Sequence, residues 1–491
     1  MDNKQNSIWQ RECKFVTHLP KLNHRDDIHI VKEKITYTDG TIKKILRILH
    51  NFKRPFWITK PHLQNYKQKK ESEPMDRLNK YFSTQKNLPK EIASRLGFKY
   101  VASRTMRDVI SSPFLYGTDI DSQAIIKRLY QDKYPNSFSK FEIAALDIET
   151  DTNTDEIVII SIASKQEVYV GIWDKILINK RRTPEILTDL YNRYVPKTEY
   201  SANILPIFET YTTELDLVMG VLSRLHTWDI DICAVWNIDF DMTKILNVLK
   251  KNNIDPKDVF SDPSIPKDIR YFEYKQGSKK KVTESGVVKP KSPQEQWHTV
   301  TSCSNFYWLD AMSVYYYVRV GGKEIPGGYS LNNVLEKELG KTYKKLKFED
   351  ETNDKLQGVD WHKYMLNKKP FEYIIYNVWD TMSMIELDNK TNDLQSNLAA
   401  LSGISSFDIF HSGPKKIIDA LHYFYLENKR VLGVKPAIND GDNGLGLDNW
   451  ILNLYSYYIK DKQKGCILED SNLITNIHTH TLDLDKQFTQ V

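Results

Sequence analysis

The sequence predicts an α/β protein built on a mixed sheet, and two features carry that prediction. Residues 27–60 read as antiparallel β structure: DIHIVKEKITY and IKKILRIL flank Thr38-Asp39-Gly40-Thr41, and Asp-Gly is a strong hairpin turn signal. From residue 141, three strand candidates rich in Val and Ile (EIAALDIE, EIVIISIAS and EVYVGIW) are followed by helical patterns that alternate with apolar segments. Strands that alternate with helices after an antiparallel start belong to the α/β class.

In chain order, residues 64–80 are polar and charged and read as a solvated helix or loop. Residues 123–131 read as a helix. Helical periodicity returns at 212–226, 242–251 and 330–340. CAVWNI and FYWLDAMSVYYYV are apolar, aromatic strand candidates. Residues 275–296 (KQGSKKKVTESGVVKPKSPQEQ) are basic, punctuated by Gly and Pro, and without core residues. That composition predicts a disordered surface insert. The functional alternative is a hairpin or loop that touches phosphates through Lys279, Lys280 and Lys281.

The length of 491 residues allows two to four domains. Apolar residues make up 40% and charged residues 27%, as in a water-soluble globular protein. The net charge of +5 permits an acidic partner without requiring one. Cys13, Cys233, Cys303 and Cys466 form no CxxC pair, so neither a disulfide framework nor a zinc site is indicated. The reduced cytoplasm is the expected compartment. No apolar run reaches membrane-spanning length, and MDNKQNSIWQRECK has no signal-like apolar segment.

The stretch FEIAALDIET raises the chemical question. Side chains alternate along a strand, so Asp147 and Glu149 share one face. Two adjacent carboxylates at the end of an apolar strand repel each other and lose hydration. A hard divalent cation with a preference for oxygen ligands resolves both problems. Alone, D-x-E equally describes a solvated strand end. Two further segments add weight. In VWNIDFDMTKI an apolar strand runs into Asn237, Phe240 and Asp241 before a helix. In FEYIIYNVWDTMSMIEL, Tyr376 and Asp380 stand four apart on one helical face.

In order, D-I-E, N-x-x-F-D and Y-x-x-x-D resemble the three exonuclease motifs of family B DNA polymerases. The spacing between Asn237 and Phe240 is one residue shorter than in many members, a form that protein-primed members tolerate. GGYSLNNVLEKELGK (327–341) resembles the stretch between the second and third motifs. LSGISSFDIFHSGPKKIIDALHYFYLENKRV (401–431) resembles the link toward the polymerase palm. FLYGTDIDSQ (114–123) resembles the segment before the first motif in polymerases of large tailed bacteriophages. Tyr116-Gly117-Thr118-Asp119 is superficially similar to a palm motif, but it lies upstream of the exonuclease motifs and reads as a turn of the N-terminal domain.

The resemblance implies a ribonuclease-H-like 3′–5′ exonuclease domain, a mixed sheet flanked by helices, over residues 141–395. It implies an N-terminal α+β domain over 1–140, completed by a return segment near 396–437, and an incomplete palm over 438–491. It implies two Mg²⁺ or Mn²⁺ ions held by Asp147, Glu149, Asp241 and Asp380, with Tyr376 orienting the water or the scissile phosphate. Asn237 and Phe240 are implied to hold the terminal nucleotide. HTHTLDLDKQFTQV (478–491) resembles palm motif A, with Asp483 at its metal-binding aspartate. His478 and His480 lack a third ligand nearby and read as a surface strand.

Palm motifs B and C do not occur in the sequence. The chain is therefore expected not to polymerise DNA alone, and to be one product of a split polymerase gene or of a truncated one. The expected partners are a single-stranded 3′ end or primer-template DNA and a C-terminal polymerase half, with a sliding clamp and a single-strand-binding protein in a phage-infected host cytoplasm. No membrane is expected. The alternative is a nucleic-acid-binding scaffold half whose nuclease site is inactive.

Overall fold

In the computed structural model the chain is described over residues 7–99, 101, 105–135, 137–177, 183–283, 286–319, 325, 327–348 and 356–434. The stretch read as a palm, with Asp483, His478 and His480, lies outside the described residues.

The chain opens with three antiparallel strands, Ile8–His18, Ile28–Tyr37 and Ile42–His50. The predicted Asp-Gly turn joins the last two, with Gly40 at φ +86°. The first strand has no turn signal before it and was not expected. A second small sheet pairs Arg54–Thr59 with Leu78–Ser83 and Leu115–Tyr116. Part of the polar stretch 64–80 is therefore an edge strand, in which Leu78 and Ser83 are buried while Lys80 stays in solvent.

The chain returns to this region at its described end. Strand Arg430–Leu432 pairs antiparallel with Ser72–Pro74. The preceding helix, Gly413–Glu427, inserts Asp419 and His422 into a buried polar layer. There Asp419 accepts from Ser405 Oγ (2.6 Å) and Lys415 Nζ (2.7 Å).

Between these parts lies a six-stranded mixed sheet, ordered Ile207–Tyr211, Val168–Trp173, Ile157–Ser164, Ile143–Thr150, Ile232–Val235, Tyr307–Asp310. Only Ile157–Ser164 runs antiparallel to its neighbours. Strand Ile143–Thr150 is central and buried on both faces. Ala144, Leu146 and Ile148 pack with helices Glu214–His226 and Ile238–Lys251. Ile143 and Ala145 face the 22-residue helix Pro370–Thr391. Period-2 alternation then requires Asp147 and Glu149 to face that same helix. The helix starts with Pro at its first position and ends at Asn392 in the left-handed region, φ 55°. Its fully buried Trp379 donates from Nε1 to the Lys344 carbonyl at 3.0 Å and lies near the Tyr343 ring, and truncation to Ala is expected to cost about 3–5 kcal/mol.

Two expectations are corrected. FYWLDAMSVYYYV is not one strand: it divides into strand Tyr307–Asp310 and helix Ala311–Val318. Asp310 ends the strand and caps the helix, accepting from the Ser313 N–H at 3.0 Å, so one polar residue splits the apolar run. The basic insert is not disordered where it is described. Lys280–Val282 and Val288–Pro290 form an antiparallel hairpin, and its base is fastened by Tyr274 and Gln276, which both donate to Asp239. These side-chain anchors hold a segment that has no core of its own.

Candidate active site

The carboxyl end of strand Ile143–Thr150 opens into a cleft of about 540 Å³. Asp147, Glu149, Asn237, Phe240, Asp241, Tyr376 and Asp380 all line it. Strand and helix are brought together here by the sheet-facing packing described above. Carboxylate oxygens of Asp147, Glu149 and Asp380 lie within 4.8 Å of one another. Three oxygens this close can hold a metal ion.

The electrostatics of the cleft are those of crowded, poorly hydrated acids. Burial, then Asp241, Asp380 and Glu149, push the Asp147 carboxyl well above the usual carboxylate range. Burial raises Asp241 well above its ordinary value too, although the backbone N–H of Ile148 donates to it at 3.1 Å. Burial pushes Asp380 up to about 6, against the pull of Lys345. Asp380 Oδ1 is buried without a hydrogen-bond partner among the described residues. An orphaned carboxylate oxygen beside two more acids is suited to ligating a cation.

Asp241 enters from the far side of the sheet. Strand Ile232–Val235 leads through Asn237, in the left-handed region at φ 68°, into helix Ile238–Lys251. Asparagine tolerates that conformation better than most residues. The start of the helix is fixed by Asp310, which accepts from the Ile238 N–H at 3.2 Å and whose carboxyl burial pushes up to about 7. Phe240 stands at the rim, 45% exposed, with Lys244 Nζ 5.3 Å from its ring centroid.

Sequence reasoning missed five residues in and around this site. Lys345 donates to Asp380 Oδ2 and, at 3.0 Å, to the Tyr376 hydroxyl. Burial opposes its charge, but Asp380, Tyr376 and Asp147 hold its pKa well above the ordinary lysine value. Asn377 donates to Asp147 Oδ2 at 2.6 Å, and Tyr373 donates to Glu149 Oε2. His362 Nδ1 lies 2.7 Å from the Tyr373 hydroxyl. Trp361 closes over Tyr376 with ring centroids 5.0 Å apart.

Lys279, Lys280 and Lys281 do not line the cleft. They sit on the exposed hairpin, where Lys281 pairs with Glu295 and Lys279 lies 3.9 Å from Asp239. Asp239 links that hairpin to the helix bearing Phe240 and Asp241.

Among the described residues no helix is long and apolar enough to cross a membrane. Compared with protein-family models and with curated proteins, the chain gives no match.

Proposed function

We propose that the cleft is the active site of a metal-dependent 3′–5′ DNA exonuclease of ribonuclease-H-like type, the proofreading part of a family B DNA polymerase. One observation carries this reading. Two acids on alternate positions of the central strand meet an acid from the covering helix within 4.8 Å, beside a tyrosine one turn away on that helix. The order of the motifs and the mixed sheet support it.

Asp147, Glu149 and Asp380 would hold Mg²⁺ or Mn²⁺, with Asp241 serving a second ion. When bound, two such ions supply an activated water and neutralise charge on the attacking and leaving oxygens. The remaining work falls to the chain. The Tyr376 hydroxyl faces the acids and can donate to a phosphate oxygen or to water. Lys345 offsets part of the carboxylate charge and fixes Tyr376 through their hydrogen bond. Phe240 offers an exposed ring on which a terminal base can stack. Trp361 packs against the Tyr376 ring and helps hold it in place.

A second reading, a nucleic-acid-binding scaffold with a silent nuclease site, is favoured by one contact: Lys345 engages Asp380, an intended metal ligand. Single-stranded DNA labelled at either end separates the two. The exonuclease reading expects a Mg²⁺-dependent ladder from 5′-labelled strands and immediate release of mononucleotide from 3′-labelled ones. The scaffold reading expects intact DNA in both.

A further inference from the structure

Helix Pro370–Thr391 turns two pairs of side chains toward the acidic cluster, each pair four residues apart. Tyr376 and Asp380 form the first pair. Tyr373 and Asn377, offset by three residues, form the second, and each reaches one of the two strand acids. The Tyr373 hydroxyl donates to Glu149 Oε2, and Asn377 Nδ2 donates to Asp147 Oδ2 at 2.6 Å. Both side chains are fully buried.

We propose that Tyr373 and Asn377 are positioning residues that aim the Glu149 and Asp147 carboxylates for metal binding, an inference that rests on the metal-site reading above. Each donor engages one oxygen of its carboxylate and leaves the other, Glu149 Oε1 or Asp147 Oδ1, for a cation. Both donors are neutral. They stabilise an ionised carboxylate without bringing a cation that would compete with a metal for the same oxygens. The spacing makes the arrangement self-consistent, because an i, i+2 pair on the strand is met by an i, i+4 pair on the helix. Donor polarity also follows from chemistry. An ionised carboxylate only accepts, so the Asn377 amide must turn its NH₂ toward Asp147. Likewise the Tyr373 proton points to Glu149. His362 Nδ1, 2.7 Å from the Tyr373 oxygen, must then carry a proton and donate to it. The same Nδ1 lies 3.5 Å from Glu149 Oε2, so His362 braces the phenol beside the carboxylate it serves.

The test is Mn²⁺ binding to the whole chain without DNA, measured by calorimetry, together with thermal stability. Tyr373→Phe keeps the ring and removes only the hydroxyl. Asn377→Leu keeps the side-chain shape and removes the amide. The control is the double variant Asp147→Ala, Glu149→Ala. Loss of a hydrogen bond to a metal-ligating carboxylate typically weakens metal affinity about 10–100-fold. The expected result is weakening in that range for each positioning variant, with a cooperative unfolding transition retained. If the parent binds Mn²⁺, the double variant does not, and both positioning variants bind within about twofold of the parent, the positioning role is wrong and the metal site stands. If Mn²⁺ binding survives in the double variant, the metal-site reading is wrong and the positioning role falls with it.

Discussion

Lys345 and Asp380 form an ion pair inside the acidic cleft, and the same ammonium holds the Tyr376 hydroxyl at 3.0 Å. One lysine thus couples the helix acid to the tyrosine four residues before it. Lys345→Met keeps the length of the side chain and removes its charge. Four crowded acids then lose a counter-charge, and Tyr376 loses its partner. The metal-free variant should unfold at a lower temperature than the parent and gain more from added Mg²⁺. Exonuclease turnover should fall roughly tenfold to a thousandfold, as when one preorganised donor is removed from an active site. Scanning calorimetry with and without Mg²⁺, followed by single-turnover hydrolysis, checks both parts.

The way this site is distributed along the chain explains what could be read from it. Asp147 and Glu149 were legible because strand alternation puts them on one face, and Tyr376 and Asp380 because helical spacing does the same. Those are local geometries, and local geometry survives in sequence. Lys345 follows no such period. It is one of several lysines in KTYKKLKF, and only the fold brings it 35 positions along the chain onto Asp380. Tyr373 and Asn377 sit in a helix so apolar that both pass for core residues. Asp310 was hidden inside an aromatic run, where its capping role is visible only once the strand is seen to end. The hairpin lysines show a different limit: their charge was legible in the sequence, but their position outside the cleft was not.

Phe240 is exposed at the cleft rim and contributes little to the core. Phe240→Ala should leave thermal stability within about 0.5 kcal/mol of the parent, as expected for a surface change. A base stacked on an aromatic ring is worth about 1–3 kcal/mol. KM for single-stranded DNA should therefore rise roughly fivefold to a hundredfold, with a smaller change in kcat. Steady-state kinetics on a short oligonucleotide measures the split.

The hairpin bearing Lys279, Lys280 and Lys281 is exposed and lies outside the cleft, but its base is tied to Asp239, next to Phe240 in the chain. If it engages the strands at a junction, alanine at all three lysines should slow hydrolysis at duplex ends more than on single strands. The salt dependence of duplex binding should also become shallower. Equal loss on both substrates, or no loss, removes that role.

His422 is buried on the return helix, its ring 6.0 Å from Trp57. Burial, then the charges of Arg54 and Lys415, lower its pKa to about 3. The folded state therefore resists protonating a group that titrates near pH 6.5 when unfolded. The stability from keeping it neutral is fully present above pH 6.5 and is lost as pH falls from there toward 3. Denaturant melts at pH 7.5 and pH 4.5 should show the parent losing on the order of 2 kcal/mol more than His422→Phe over that interval. Parallel losses in the two proteins would place the titrating group elsewhere.

The most direct measurement is single-turnover hydrolysis of 5′-labelled single-stranded DNA at fixed Mg²⁺, comparing the parent with Asp147→Asn, Glu149→Gln. These substitutions keep side-chain shape and remove both strand charges from the cleft. The proposed exonuclease predicts stepwise shortening from the 3′ end by the parent, abolished by chelation of the metal, and a rate reduced at least a hundredfold in the variant. Equal rates in parent and variant, or shortening that persists without a divalent ion, would contradict it.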